Sequence, residues 1–195
     1  NGIKGNLMSF TLPEVKGIYI DMDGVIVDDV EMWQRCHPTI PNLGAHIRKL
    51  KVFGQKQAFM YPTVIESIKR NYFETGKPTL FLTVLKDILL PMWKEKGIQV
   101  EILSSTMSNN PLSAEIARQK HAWLRANGLG HLPCNLVEGS AKKQEHAKEG
   151  WLLIDDYDRT IGQFISKGGY AVQYTNLNEV METLRLIKLA PGINV

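Results

Sequence analysis

The sequence has few cysteines and lacks long apolar runs, and both absences exclude classes of protein. Cys36 and Cys134 are the only cysteines in 195 residues, and they lie far apart without a partner motif, so neither a disulfide framework nor a zinc site is indicated. No stretch reaches the ~18 apolar residues of a membrane span, and the first residues lack the apolar block of a signal peptide. We therefore expect a cytoplasmic protein in a reducing compartment, with no membrane partner.

A strong charge of either sign is also missing. The formal net charge of +3 suits a phosphorylated substrate but falls short of the basic surface of a dedicated nucleic-acid binder, so stable nucleic-acid binding is not expected. A hydrophobic content of 44% excludes disorder, and the length fits one domain with a small insert, in an oligomeric state that stays open. Residues 1–7 precede the first methionine, Met8, and we expect them to be a remnant of cloning outside the fold.

The sequence does contain a strand-like segment, residues 15–20, that is followed directly by acidic residues. Asp21 and Asp23 follow it with one residue between them, and then comes Gly24. Side chains at positions i and i+2 of an extended chain share a face, so the two carboxylates would crowd each other if the strand continued. Such a pair shares a proton or binds a divalent cation, and we favour Mg²⁺. A solvated acidic turn is the alternative.

Two further strand-like segments end in polar residues. Residues 98–104 lead to Ser104 and Ser105, and residues 151–156 form a near-continuous apolar run that ends in Asp155 and Asp156, as in a strand buried on both faces of a parallel sheet. Strands alternating with helices predict an α/β fold, a doubly wound (Rossmann-like) parallel sheet. Ligands bind beyond the carboxyl ends of such strands, so the three polar ends should converge. The alternatives are a loop cap for Ser104 and a solvated turn for the acids.

Residues 27–77 differ from this alternation, because they carry scattered aromatic and basic side chains. We interpret them as a small helical cap inserted after the first strand, with the core formed by residues 8–26 and 78–195. Helical spacing predicts a helix that begins after Pro62 with Thr63 as its cap. A second predicted helix, marked by Leu82, Leu85, Leu89 and Met92, is closed by Lys94, Lys96 and Gly97 and should kink or end at Pro91. The aromatic side chains of the insert either pack its own core or face a ligand.

The ordered motifs resemble those of the haloacid dehalogenase (HAD) superfamily. Asp21-Met22-Asp23-Gly24 resembles its first motif, Ser104 its second, and Leu153-Ile154-Asp155-Asp156 its fourth. The layout around Lys120-His121-Ala122-Trp123 is similar to the 5'(3')-deoxyribonucleotidase-like branch. The resemblance covers about residues 15–175 and leaves the insert unmatched.

This resemblance implies a phosphatase in which Asp21 attacks phosphorus and Asp23 serves as acid and base. It implies Mg²⁺ held by Asp21, Asp23, Asp155 and Asp156. The phosphate-binding residues implied are Ser104, Ser105 and the third-motif lysine, for which Lys143 is preferred and Lys142 stays open, with Lys120 as a further phosphate contact. Each lysine has an ordinary solvated side chain as its alternative.

The expected substrate is a small phosphorylated molecule, in the first place a nucleoside monophosphate. A sugar phosphate or a nucleic-acid end phosphate is the alternative substrate. A non-catalytic protein that binds a phosphorylated ligand is the alternative of another class, and dehalogenases differ because they lack the acid at the position of Asp23.

Overall fold

A computed structural model describes residues 14–49, 53–107 and 111–192; the side chains of residues 47–49, 53–57 and 60 are not described. Residues 1–7 thus lie outside the described residues. The five strands of the sheet are all parallel, in the order β3-β2-β1-β4-β5. They are β1 (Gly17–Ile20), β2 (Gln99–Thr106), β3 (Cys134–Glu138), β4 (Trp151–Asp155) and β5 (Tyr170–Gln173).

Helices connect these strands, as a parallel sheet requires. They are α1 (Asp29–Cys36), α2 (Leu43–Lys49), α3 (Phe53–Lys69), α4 (Leu80–Val84), α5 (Leu90–Glu95), α6 (Ser113–Ala126), α7 (Asp158–Ser166) and α8 (Leu177–Leu186). A π-helical turn, Leu85–Leu89, joins α4 to α5, and a 3₁₀ helix, Ser140–His146, lies between β3 and β4. Among the described residues, none of the helices is both long and apolar enough to cross a membrane.

The sheet is covered on both faces, which confirms the predicted doubly wound α/β fold. Ile18 and Ile20 of β1 pack into a large apolar cluster with α4, α6 and α8, whereas Tyr19 points to the other face and packs with Trp151 and with Phe164 of α7. The strand β4 is buried along its whole length, as its apolar sequence predicts. Burial on both faces therefore explains why the central strands are apolar without alternation.

The register of the sheet brings the polar strand ends together. Ile20 of β1 pairs with Ile102 of β2 on one side and with Ile154 of β4 on the other. The next residue after Ile20 is Asp21, and the next after Ile154 is Asp155, so the two carboxylates leave adjacent strands at the same level. The chain runs from β1 to β2 and β3 on one side and returns to β4 on the other, so this edge is also the point where strand order reverses.

Pro62, expected just before a helix, and Pro91, expected to kink or end one, both lie inside helices. Pro62 lies within α3, which begins before it, so the prediction of a helix start at Thr63 is wrong. The end of α1 packs against α3 on both sides of Pro62. Cys36 contacts Thr63 and Ser67 beyond the proline, and His37 contacts Thr63 and also Phe59 before the proline. This packing holds both sides of the proline in one helix. Pro91 follows the wide π-helical turn, in which Leu90 N–H bonds to Leu85 O, and the helix continues to Glu95.

The two ends of residues 27–77 lie side by side. Asp28 N–H donates to Lys77 O at 2.8 Å, and Thr79 N–H donates to Ile26 O at 3.0 Å. Met32 of α1 and Val64 and Ile68 of α3 form a buried cluster that also includes Ile116 of α6. The segment thus leaves and rejoins the chain at one place and packs against a helix of the sheet layer.

Candidate functional site

The site begins at the turn that follows β1, where a glycine is required. Gly24 has φ +76°, and a Cβ there would meet Asp156 Oδ2 at 2.3 Å. The N–H groups of Val25, Ile26 and Val27 all point at the carbonyl oxygen of buried Met22. The strand therefore ends at Ile20, and the tight turn sends Asp21 and Asp23 in different directions instead of onto one face.

Asp21 is buried against Lys143, a residue of the 3₁₀ helix. Lys143 Nζ lies 2.8 Å from Asp21 Oδ2 and 2.6 Å from Asp155 Oδ2, while Met22 N–H donates to Asp21 Oδ1 at 2.8 Å. Burial would lower the pKa of Lys143, but the charges of Asp21 and Asp155 outweigh burial and raise it. The lysine is thus held as a cation between two carboxylates. Its neighbour Lys142, also considered from the sequence, has an exposed side chain.

Three carboxylates meet at the ends of β1 and β4. Oxygens of Asp21, Asp155 and Asp156 lie within 4.8 Å of one another. Burial, followed by the charge of Asp21, raises the pKa of Asp155 to about 6 and that of Asp156 to about 8, even though Lys143 opposes both shifts. Crowded oxygen ligands with this excess of negative charge suit a hard divalent cation such as Mg²⁺.

Asp23 does not join this cluster, although the sequence motif suggested it as a metal ligand. Its carboxylate accepts a hydrogen bond from Lys120 Nζ at 2.6 Å. The same ammonium donates to Ser104 Oγ at 3.0 Å and to the carbonyl oxygen of Ser105 at 2.8 Å. The physical reason is the turn at Gly24, which carries Asp23 away from Asp21 and toward α6, where Lys120 is buried.

The geometry thus joins most of the residues selected from the sequence into two lysine-centred groups. We call them the Lys143 group, which contains Asp21 and Asp155, and the Lys120 group, which contains Asp23, Ser104 and Ser105. Ser104 is buried and Ser105 is half-buried. Asp156 stands beside the Lys143 group, within the carboxylate cluster.

One carboxylate near the site was missed in the sequence. Burial, followed by the charge of Asp23, raises the pKa of Asp29, the first residue of α1, to about 6, and the charge of Asp29 adds to the burial that raises the pKa of Asp156. The available signal was the second acid of Asp28-Asp29, just after the first motif. Asp28 is the helix cap, since its carboxylate accepts from Glu31 N–H at 2.9 Å, so the cap alone does not explain Asp29.

Aromatic side chains of residues 27–77 mostly pack among themselves or against the rest of the described chain. Phe73 is buried, with the Lys120 ammonium 5.5 Å from its ring centre, and Phe59 lies between the rings of His37 and His46. Tyr61 is about half exposed. The side chain of Phe53 lies outside the described residues.

Comparisons with known proteins bear on the fold. No family model matches the sequence, and no curated protein does. The structure is similar to a HAD-superfamily hydrolase from Ehrlichia chaffeensis, with a TM-score of 0.52 at 13% identity over 91% of this chain and 100% of that one. An L-2-haloacid dehalogenase from Xanthobacter autotrophicus gives 0.51 at 12% identity over 91% and 85%.

A third similar structure is CbbY from Rhodobacter sphaeroides in complex with phosphate, with a TM-score of 0.50 at 12% identity over 84% of this chain and 87% of that one. At such identities the similarity establishes the fold alone, a Rossmann-like α/β fold that this chain shares with these proteins. It does not single out the deoxyribonucleotidase-like branch.

Proposed function

We propose that the protein is a magnesium-dependent phosphomonoester hydrolase in which Asp21 is the nucleophile. The observation that carries the proposal is the pairing of a buried aspartate with a buried lysine beside two further carboxylates at the strand ends. Both oxygens of Asp21 are engaged, Oδ1 by Met22 N–H and Oδ2 by Lys143. A nucleophile held in this way needs little reorganisation before it attacks.

In the first step Asp21 would form a bond to phosphorus and the ester oxygen would leave, which produces an aspartyl phosphate that water then hydrolyses. Lys143 would offset the charge of the phosphoryl oxygens as they approach the carboxylate, because two anions otherwise repel each other at reaction distance. Lys120, which donates to Ser104 Oγ, and the Ser104 hydroxyl would supply further donors to the phosphoryl oxygens.

Asp23 would act as general acid and base. It would give a proton to the leaving oxygen and later take one from the attacking water. Its side chain is 29% exposed, whereas that of Asp21 is 8% exposed, so Asp23 is the carboxylate with access to a leaving group. Lys120, at 2.6 Å, orients it.

The residues at the strand ends fit Mg²⁺. The chemistry of the ligand atoms supports this fit, because Asp21, Asp155 and Asp156 offer hard oxygen ligands and carry more negative charge than Lys143 neutralises. When bound there, the ion would supply positive charge for the phosphoryl oxygens. Asp23 is left out of this proposed ligand set, because Lys120 holds its carboxylate elsewhere.

The finer proposal concerns the substrate, a nucleoside monophosphate beneath the insert of residues 27–77. Its support is topological, since the insert leaves the chain directly after Asp23 at the edge where the acids converge. Packed rings such as Phe73 do not support base stacking, so recognition would have to come from other groups. A sugar phosphate remains the rival substrate.

Turnover of p-nitrophenyl phosphate with Mg²⁺, with excess EDTA and with Ca²⁺ tests the proposal. We expect hydrolysis with Mg²⁺ alone, because Ca²⁺ accepts more ligands in a looser geometry. A protein that binds phosphate but shows no turnover would support the non-catalytic alternative. The similarity to the Xanthobacter dehalogenase concerns the fold alone. The acid at Asp23, which dehalogenases lack, argues against that activity, and halide release from a 2-haloacid would contradict the proposal.

A further inference from the structure

The turn that follows α3 contacts the Lys120 group, and the proposed mechanism gives this turn no role. Helix α3 ends at Lys69, and Asn71, with φ +54°, has the left-handed conformation common just beyond a helix. Phe73 of this turn is buried, and Lys120 Nζ lies over its ring at 5.5 Å from the ring centre. An aromatic face at this distance attracts an ammonium. The turn thus covers one side of a charged group of the site.

The turn is fixed to α6 on both sides of this aromatic ring. Gln119 Nε2 donates to Ile68 O at 2.9 Å, and Trp123 Nε1 donates to Gly76 O at 2.7 Å, and both hydrogen bonds are buried. Gln119 directly precedes Lys120 in α6, and Trp123 follows it by almost one helical turn. The stretch of α6 that carries the lysine is therefore the stretch to which the turn is bound.

Lys120 has a partner for each of its hydrogen-bond donors. An ammonium carries three N–H groups, and this one donates to Asp23 Oδ2 at 2.6 Å, to Ser104 Oγ at 3.0 Å and to Ser105 O at 2.8 Å. A phosphoryl oxygen can take the place of the Ser104 hydroxyl, because the hydroxyl can turn and donate to the same oxygen. The hydrogen bond to Asp23 is then kept.

The aromatic cover matters because the buried ammonium holds a carboxylate that is open to solvent. The side chain of Lys120 is 1% exposed, whereas that of Asp23 is 29% exposed. Water beside the lysine would offer its N–H groups a mobile acceptor in competition with Asp23. The ring of Phe73 offers no oxygen or nitrogen acceptor, so the ammonium stays with its three partners.

We propose that Phe73 is a positioning residue for general-acid catalysis, because its cover of Lys120 holds Asp23 in the orientation that protonates the leaving oxygen. This inference rests on the proposed function. As Asp21 bonds to phosphorus, the bond from phosphorus to the ester oxygen breaks and this oxygen takes the proton of Asp23. The leaving group departs as a neutral alcohol, and Asp23 becomes a carboxylate, which the Lys120 ammonium stabilises.

The dependence of the rate on the leaving group measures this role. The leaving oxygens of p-nitrophenyl, phenyl and benzyl phosphate depend increasingly on a proton, because p-nitrophenolate is a stable anion and a benzyl alkoxide is not. The constant kcat/KM covers every step up to the loss of the leaving group. Asp23→Asn sets the scale, and it should lower kcat/KM for benzyl phosphate about 10²-fold more than for p-nitrophenyl phosphate.

In Phe73→Ala, which lets water reach the ammonium, the same relative loss should be about 10-fold, since a small misplacement of a catalytic group reduces its effect. Phe73→Leu keeps an apolar cover, and its ratio should stay within about threefold of the wild type, because the attraction of the ring itself is modest. Gln119→Met removes the donor to Ile68 O and keeps a side chain of similar length. It should change the ratio in the same direction as Phe73→Ala, and it serves as the test if that variant does not fold.

Met32→Ala is the matched control. Met32 of α1 is buried in the same apolar cluster as Phe73, but it has no aromatic ring to set against Lys120. Its substitution should lower the Tm of the protein as Phe73→Ala does, and it should lower kcat/KM for the three esters by one common factor. A thermal melt of each variant gives the Tm values.

The outcomes separate this inference from the function on which it rests. If the wild type hydrolyses none of the three esters, the proposed function fails and the inference fails with it. If Asp23→Asn lowers all three by one factor, Asp23 is not the acid, and the inference is overturned while Asp21 can still be the nucleophile. If Asp23→Asn is selective but Phe73→Ala and Gln119→Met are not, Phe73 only packs, and the inference alone is overturned.

Discussion

The two lysine-centred groups of the site differ in their contact with solvent and in their charge. In the Lys143 group, the side chains of Lys143, Asp21 and Asp155 are 3%, 8% and 1% exposed, and one cation stands between two anions. In the Lys120 group, the lysine is 1% exposed but Asp23 is 29% exposed, and the other partners, Ser104 and the Ser105 carbonyl, are neutral. One group is thus a dry cluster with excess negative charge, and the other is a balanced ion pair that is open on one side.

This difference matches the two kinds of work that phosphoryl transfer requires. A nucleophile benefits from a fixed position among charges that are already in place. A general acid must exchange protons with the leaving group and with water, so it needs access. The Lys143 group is formed by the ends of β1 and β4 and the 3₁₀ helix, whereas Lys120 of the other group contacts Phe73, which lies in residues 27–77. We therefore expect perturbations of the two groups to have different signatures.

The largest effect is expected from Asp21→Asn. An amide is a poor nucleophile and carries no charge for a cation, so turnover should fall by about 10⁴-fold or more. Removal of a charge from the crowded cluster should leave the protein folded. Steady-state kinetics with p-nitrophenyl phosphate and a thermal melt measure both, and near-normal turnover would exclude Asp21 as the nucleophile.

The next prediction contrasts Lys143→Met with Lys120→Met. Loss of Lys143 leaves Asp21 and Asp155 buried together without a cation, which should cost about 3 kcal/mol of unfolding free energy in the absence of metal. Loss of Lys120 leaves the partly exposed Asp23, and water can replace its partner, so the loss of stability should be smaller. Urea unfolding of both variants in EDTA provides the comparison. Equal losses would contradict the distinction between the groups.

Magnesium should stabilise the protein more at high pH than at low pH. The pKa values of Asp155 and Asp156 are raised in the fold to about 6 and about 8 from the ordinary 3.8, so the folded protein holds protons that the unfolded chain releases. Stability without metal should therefore fall as the pH rises between about 4 and about 8. Because Mg²⁺ competes with these protons, the increase in the protein's Tm on adding Mg²⁺ should be larger at pH 8 than at pH 5.

The control for this prediction is Asp156→Asn, which removes the carboxylate with the larger shift. Its Tm without metal should depend less on pH, and its gain from Mg²⁺ should be smaller. The same Tm gain at both pH values in the wild type would show that the ion does not bind at these carboxylates.

The smallest effect is expected from Lys142→Ala. This side chain is exposed, while its neighbour Lys143 is buried among the acids. A surface substitution of this kind changes stability by less than about 0.5 kcal/mol, and kcat/KM should stay within about twofold. A loss comparable to that of Lys143→Met would reverse the assignment of the third-motif lysine.

Sequence patterns were sufficient for the main features of the core. Apolar runs that end in acid or serine predicted β1, β2 and β4, and their alternation with helices predicted the parallel sheet, because strands buried on both faces must be apolar throughout. The strand β3 and the helix α7 were not predicted. The residues of β3 are only partly buried at the edge of the sheet, so its apolar pattern is weak. The helix α3 was predicted too short, since contacts to α1 outweigh the local effect of Pro62.

By itself, the sequence determined which chemical groups stand at the strand ends, since a parallel sheet places the carboxyl ends of neighbouring strands at one edge. Only the tertiary structure decided how these groups are paired. The turn at Gly24 separates Asp23 from Asp21, and the packing of the 3₁₀ helix buries Lys143 while Lys142 remains exposed. The physical reason is that pairing depends on side-chain direction and burial, and both are set by contacts between residues distant in sequence.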